Sequence, residues 1–341
     1  MDPLLSLLSH TGYISGERLC ESLGITRAAV WKRVEKLREE GYDINSAGKR
    51  GYRLVPRPDS LLPGYLAMDL STQWAGRGDI FYKPDMTSTN TVLKAMAYQG
   101  AARGSLAVCE LQTEGKGRLG RRWEAALGEN LLHSLLLCPA MPTEKAQLCT
   151  LAAATAMAGA VEETVLGLSV GIKWPNDLLI GGKKCAGILS EISADMDGIR
   201  FVVMGVGVNV NQRHFGGELE DKATSLWLEQ GKLAGSGDMP GQDARELPPI
   251  DRRALLCAYL SRMEKAVEAI ENQGLQGILP EYLRRSVTLG ARVRVTGIQG
   301  EFLGRAEALD ETGALWVTDE QGERRRVLSG DVSVRGERAY A

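Results

Sequence analysis

The alternation of apolar and polar positions divides the chain into stretches of different period. Within residues 1–55, Leu4, Leu5, Leu7 and Leu8 predict a short apolar helix, and Ser15-Gly16-Glu17 opens a second that carries Leu19 and Leu23. Gly24-Ile25 marks a turn, after which Thr26 is placed to cap a third helix reaching Glu39 or Glu40. Ala28, Val30, Val34 and Leu37 supply the apolar stripe of that helix, while Arg27, Lys32, Arg33, Lys36 and Arg38 dominate its other positions. Two strand-like pieces then flank a basic tip at 46–51 that contains Lys49 and Arg50. Two helices joined by a glycine turn and followed by a hairpin predict a winged helix-turn-helix, whose third helix enters the major groove of DNA.

Pro56, Pro58 and Pro63 space a linker over 56–63. From 64 to 285 the period changes: strand-like runs at 80–82, 106–111, 131–137, 185–192 and 201–210 interleave with an Ala-rich helix at 146–165. Helices are expected again at 251–272 and 275–285, and the Gly- and Pro-rich stretch 235–249 reads as a flexible insertion. Beyond 286, short β runs separated by glycine turns fit a small SH3-like β-barrel extending to 341. The expected fold class is therefore α+β: a winged helix, a central domain on a mixed, largely antiparallel sheet, and a terminal barrel.

Composition narrows the partners. The 341 residues carry a net charge of −2, so any binding of nucleic acid has to come from a local patch such as the third helix and its wing. No apolar run approaches a membrane span, and Met1-Asp2-Pro3 does not open a signal peptide, which predicts a cytoplasmic protein. The six cysteines are dispersed without a C-x-x-C pair, and His10, His133 and His214 lie far apart. Neither a structural zinc site nor a histidine-based nucleophile system is expected.

The chemistry concentrates between Gln112 and Trp123, where Gly115, Gly117 and Gly120 alternate with Lys116, Arg118, Arg121 and Arg122. Glycines let a backbone come close to a ligand, and the cations between them neutralise an anion, so this loop is suited to carboxylate or phosphate. The letters also fit G-x-G-x-x-G, but no amphipathic helix follows and no acid is placed for a ribose, which argues against a dinucleotide site. Four further segments accompany the loop. Thr87-Ser-Thr-Asn90 could cap the helical stretch 91–98 or face a polar ligand group. Lys173-Trp-Pro-Asn-Asp177 reads as a turn, or as a nucleotide contact. Lys184 stands at the mouth of a buried strand, either solvated or set against a phosphate. Gly205-Val-Gly-Val-Asn209 suits close backbone approach to a base or ribose, or marks a bulge.

Together with Ala223-Thr-Ser-Leu226, these segments resemble the biotin–protein ligase family, and within it the bifunctional members that also repress biotin genes. The resemblance implies a biotin–[acetyl-CoA-carboxylase] ligase acting in two steps with biotin, ATP and Mg²⁺. The biotin carboxylate attacks the α-phosphate to give biotinyl-5′-AMP, and a lysine of a biotin carboxyl carrier domain then displaces AMP. It assigns Ser88, Thr89, Asn90 and Gln112 to the ureido ring. Gly115, Lys116, Gly117, Arg118, Trp123 and Gly187 go to the ligand-covering loop and its surroundings, and Asn176 and Asn209 to the adenylate. Lys184, Arg118 and Lys116 are the implied catalytic cations, and Asp177 the residue nearest a phosphate-bound Mg²⁺. Operator DNA would meet Arg27, Lys32, Arg33, Lys36, Lys49 and Arg50, in a homodimer formed when the adenylate is bound. Two alternatives keep part of this pattern: a lipoate-type acyl-adenylate ligase, and a biotin-sensing regulator without catalysis. The chain departs from the family at Lys116, where arginine is usual, and a point charge there replaces a bidentate fork. Glu114 is also less usual, and it adds a negative charge beside an anion site.

Overall fold

The computed structural model describes residues 2–8, 12–196, 198–235, 247–297, 300–328 and 332–336. Of the expected insertion, residues 236–246 lie outside the described residues, as do His10 and 337–341. The chain forms two compact units, Met1–Leu70 and Ser71–Ala341.

In the first unit, Asp2 accepts from Leu4 N to start α1 (Pro3–Leu7), and Ser15 caps α2 (Gly16–Leu23) through Arg18 N. Gly24 ends α2 in the left-handed region at φ 64°, and Thr26 Oγ1 accepts from Ala29 N to begin α3 (Arg27–Glu39). Val30, Val34 and Leu37 face a core with Leu4, Leu19, Tyr42 and Leu54, whereas Ala28, expected in that stripe, is exposed. β1 (Ile44–Ser46) and β2 (Tyr52–Leu54) pair antiparallel as the wing. Gly51 closes its tip at φ 94°, where a Cβ would lie 1.8 Å from Ile14 O. Arg38 is not available to DNA, because it donates to Ile44 O and pairs with Glu35. Tyr65 of α4 (Pro63–Asp69) packs on Tyr42 and bonds Asp43 N and Val55 O, so this helix is joined to the wing side of the first unit.

The second unit is built on a seven-stranded sheet in the order β3-β4-β5-β9-β8-β7-β6. β3 (Ile80–Met86) leads through α5 (Thr89–Tyr98) to β4 (Leu106–Gln112), which runs parallel to it; the other neighbours are antiparallel. The remaining members are β5 (Leu131–Leu137), β6 (Gly171–Lys173), β7 (Asp177–Ile180), β8 (Lys183–Asp195) and β9 (Gly198–Val208). Between β5 and β6 runs α6 (Gln147–Thr164), buried from Leu148 to Val161 with no polar face. A helix apolar all round must be covered on every side, and α6 packs against both the sheet and α8 (Arg252–Gln273). Its alanines permit that close approach, and Gly159 admits the Arg262 guanidinium, which would lie 2.7 Å from a Cβ. α7 (Leu226–Gly235) and α9 (Leu279–Arg285) complete the helices.

Toward the C-terminus an antiparallel sheet is made of β10 (Arg292–Gly297), β11 (Gly300–Leu309), β12 (Leu315–Asp319), β13 (Arg324–Val327) and β14 (Val332–Gly336). Its order is β13-β12-β11-β10-β14, and β11 is irregular between Ala306 and Ala308. The two edge strands do not pair with each other among the described residues, so no closed barrel is found where the sequence predicts an SH3-like one. Among the described residues no helix is long and apolar enough to cross a membrane.

Candidate functional site

Strand pairing fixes what one face of the sheet offers. Ser134 lies opposite Gly205, Leu132 opposite Gly207, and Gly207 opposite Gly187. Partners across a ladder share a face, so three glycines leave a shallow floor beside Ser134. Protein side chains occupy it. A Cβ on Gly205 would lie 2.1 Å from Asn90 Oδ1, and one on Gly207 would lie 2.6 Å from Trp123 Cε2. The protein groups that make a close approach at Gly205 and Gly207 are thus Asn90 and Trp123, and both glycines also border the cavity. Below the floor, His133 is fully buried against the Tyr259 ring, and burial pushes its pKa down to about 3. A neutral imidazole without a polar contact among the described residues is no general base here.

One end of the site is neutral. Ser88 occupies the N-cap of α5 without capping it through its side chain, so the 88–90 hydroxyls are not taken up by the helix. Thr89 N donates to Gln112 Oε1 at 2.8 Å, and Thr89 Oγ1 lies 3.2 Å from the same oxygen. Ser134 Oγ lies 2.6 Å from Asn90 Oδ1 and 2.8 Å from Thr89 Oγ1. Asn90 Nδ2 donates to Leu189 O and to Glu191 Oε2. The result is a buried, mutually bonded set of hydroxyls and amides, suited to a polar uncharged group.

The other end is cationic. The loop after β4 folds back on itself: Gly117 N donates to Arg121 O, Trp123 N to Gly115 O, and the turn passes through Leu119 at φ 57° and Gly120 at φ 73°. Gly115 does not line the cavity; a Cβ there would lie 2.4 Å from Trp123 O, so its role is to let the loop close. Lys116 Nζ donates to Thr91 Oγ1 (2.9 Å), and Arg118 Nη1 to Asn176 Oδ1 (2.9 Å). Burial draws the Arg118 guanidinium below the usual arginine range, against the pull of Asp177. Lys184 Nζ lies 2.6 Å from Asp177 Oδ1 and 5.5 Å from the centre of the Trp123 ring. Its backbone is clamped on both sides, N to Lys222 O and O to Thr224 N.

These residues line two adjoining cavities. The first is walled by Ser88, Thr89, Asn90 and Gln112 at one end and by Lys116, Gly117, Arg118, Trp123, Asn176, Lys184 and Gly187 at the other. The second shares Arg118, Asn176 and Lys184 and continues past Asp177, Lys173, Asn209 and Arg121. Asn209 is held by its donation to Thr224 O, which leaves its Oδ1 buried without a hydrogen-bond partner among the described residues. Trp174, from the same cluster as Asn176, also borders the second cavity, but its donors are spent elsewhere: Nε1 donates to Gly313 O and N to Thr288 Oγ1. Among the described residues no three His, Cys, Asp or Glu side chains gather to hold a metal, and the immediate partner of Asp177 is Lys184. In the first unit, Arg27, Lys32, Lys36, Lys49 and Arg50 are exposed and Arg33 is half-buried. Arg50 stacks on Tyr13, and Lys36 lies 3.7 Å from Glu40.

Ser134, Thr91 and Glu191 were not among the residues expected in the site. The legible signal for Ser134 was a polar pair, His133-Ser134, inside the otherwise apolar run Leu131–Leu137. The glycine floor makes a direct prediction. Gly205→Ala forces Asn90 out of its bonds, and overpacking of this kind costs about 1–3 kcal/mol, so ligand affinity at the neutral end should fall about tenfold. Titration calorimetry checks it; unchanged affinity would show that Asn90 moves freely.

Comparison with known proteins follows the same outline. The Biotin/lipoate A/B protein ligase family matches residues 82–209, an HTH domain matches 3–53, and a Biotin protein ligase C terminal domain matches 288–335. The bifunctional ligase/repressor BirA of Bacillus subtilis is 34% identical over 97% of this chain and 97% of its own. The protein of the same name from Escherichia coli is 28% identical over 97% and 96%. A biotin protein ligase from Aquifex aeolicus, solved in complex with biotin and ATP, superposes with a TM-score of 0.63 at 26% identity, covering 76% of this chain and 99% of that one. A ligase-type cavity on the sheet and a helix-turn-helix ahead of it occur here in one chain, which belongs to the biotin/lipoate protein ligase family, among the bifunctional ligase/repressors.

Proposed function

We infer that this chain is an ATP-dependent biotin–protein ligase that also represses transcription of biotin genes. The observation that carries the reading is one continuous site with a neutral hydrogen-bonding end and a cationic end. A ureido ring needs neutral donors and acceptors, and the Ser88, Thr89, Asn90 and Gln112 cluster supplies them. A carboxylate and a triphosphate repel each other, and the presence of Lys116, Arg118 and Lys184 in one cavity supports a role for them in offsetting that repulsion. The carboxylate oxygen attacks the α-phosphorus and pyrophosphate leaves. A carrier lysine amine then attacks the acyl carbon of the anhydride and AMP departs with the bonding pair. Holding the two reactants in line contributes much of the acceleration.

Magnesium enters as part of the nucleotide substrate. Asp177, which lines the second cavity, fits an ion carried chiefly by phosphates, because Mg²⁺ commonly takes one or two carboxylates and keeps water and phosphate as its other ligands. Asn176 and Asn209 are read as the adenylate contacts. The partners are a biotin carboxyl carrier domain and operator DNA, and the adenylate-bound form is read as a homodimer in the cytoplasm. The division into a winged helix at 1–55, a catalytic domain at 64–285 and a terminal module from 286 belongs to this reading, and so does an SH3-like character for the last sheet. The regulator-only alternative is disfavoured by the retention of all three cations in one cavity.

The test is direct. Purified protein with Mg-ATP and micromolar biotin should label one lysine of an isolated biotin carboxyl carrier domain and release pyrophosphate in a biotin-dependent manner. Lipoate in place of biotin should support neither step. An unlabelled carrier domain, or equal turnover with lipoate, would overturn the reading.

A further inference from the structure

We propose that Glu191 is a positioning residue for biotin binding: its carboxylate fixes which way the Asn90 amide faces, and so sets the donor and acceptor pattern of the neutral end of the site. The inference rests on biotin as the ligand there. Glu191 lies on β8, is not among the residues that line the cavity, and receives two donors from α5. Asn90 Nδ2 reaches Oε2 at 3.0 Å, and Lys94 Nζ reaches Oε1 at 3.1 Å. Burial works against the charged form, but those two bonds outweigh it and hold the carboxyl below its usual range. Glu191 is therefore an anion at neutral pH and accepts only.

An amide has two faces of opposite polarity, and nothing in Asn90 itself chooses between them. Two acceptors, Glu191 Oε2 and Leu189 O, stand on one side of it. Turning the amide would set its oxygen against both, leaving three acceptors together and the NH₂ group against Ser134. With Glu191 in place, Asn90 Oδ1 faces Ser134 Oγ at 2.6 Å and takes up that hydroxyl's proton. Ser134 Oγ, 2.8 Å from Thr89 Oγ1, then offers Thr89 a lone pair and not a hydrogen. The single Thr89 hydroxyl hydrogen is then turned toward Ser134, while the Thr89 backbone N donates to Gln112 Oε1 at 2.8 Å, so the Gln112 NH₂ remains to donate to the cavity. The polarity that Asn90, Ser134 and the Thr89 hydroxyl present to a ureido group is thus set by a carboxylate that does not line the cavity.

The experiment measures biotin and Mg-ATP affinities separately by calorimetry for the full chain and four variants. Glu191→Leu, and Glu191→Ala as a smaller replacement, remove the acceptor and should weaken biotin about tenfold or more, the usual cost of a mispaired buried polar group. Mg-ATP affinity should change less than about twofold, since the nucleotide end does not share this network. Glu191→Gln keeps an acceptor for Asn90, and Lys94→Met keeps the carboxylate; both should bind biotin within about threefold of the parent. The proposal is overturned if Glu191→Leu and Glu191→Ala bind biotin normally, if they lose biotin and Mg-ATP alike, or if Glu191→Gln fails as badly as they do. If the parent chain binds no biotin, the ligand reading falls and this inference falls with it.

Discussion

Replacing Lys184 with alanine should slow biotinyl-adenylate formation about a hundredfold in single turnover, while biotin affinity stays within a few-fold of the parent. The expectation follows from rigidity. Lys184 lies near the start of β8, its backbone is bonded on both sides to the 222–224 segment and its Nζ lies 2.6 Å from Asp177 Oδ1, so its ammonium is held in place before any ligand arrives. A fixed charge aimed at the phosphate lowers the barrier most, because negative charge crowds there as the carboxylate approaches. One structural detail complicates the reading of a single variant. Lys184 pairs with Asp177, and its removal would leave an uncompensated carboxylate in the path of the triphosphate. Lys184→Ala combined with Asp177→Asn separates the two effects. If the double variant recovers the parent rate, the lysine serves only to mask Asp177; if it stays slow, the ammonium acts on the transition state. Lys116 should fail differently. It lies on a folded-back loop and donates to the Thr91 hydroxyl, so Lys116→Ala should mainly speed loss of the adenylate, and Lys116→Arg should be tolerated.

The sequence made much of this site legible because the residues that carry charge are also the ones that interrupt a pattern. The 112–123 loop breaks an apolar run with glycines and cations, and Lys184 breaks another. The winged helix was readable for the same reason: Ser15, Gly24 and Thr26 are strong local signals, and each performs the expected cap or turn. What stayed hidden depends on contacts distant in sequence. Gly205 and Gly207 signal a close approach, but not that Asn90 and Trp123 are what approaches. Lys173-Trp-Pro-Asn-Asp177 reads as one cluster, yet its indole bonds Gly313 while its amide and carboxylate face the cavity. β6 and β7 were missed because strands of three and four residues flanking a proline turn show no period of their own. Arg38 is one of the cations of the third helix, and only the fold shows that Ile44 O beside it ties its guanidinium down.

That last point shapes the second large effect expected. With Arg38 tied to β1 and Arg33 half-buried, the exposed cations of the helix and wing, chiefly Arg27, Lys32 and Lys49, are the ones expected to meet DNA phosphates. Each phosphate neutralised releases condensed counterions, which gives a salt slope of about −0.9 per contact and about fivefold in affinity at 0.15 M salt. Lys32→Ala with Lys49→Ala should therefore weaken binding to a biotin-gene promoter about thirtyfold per winged helix and flatten the salt dependence by about two units. Two winged helices joined in an adenylate-bound dimer would multiply the loss, since linked modules bind through their effective concentration. Both lysines lie in the first unit and the ligase cavities lie in the second, so carrier biotinylation should proceed at the parent rate. Fluorescence anisotropy over a range of salt, run beside a biotinylation assay, reads both quantities on one preparation. An unaltered salt slope would mean that the wing and the third helix do not meet the phosphates, and the DNA-binding face would have to be sought elsewhere on the first unit.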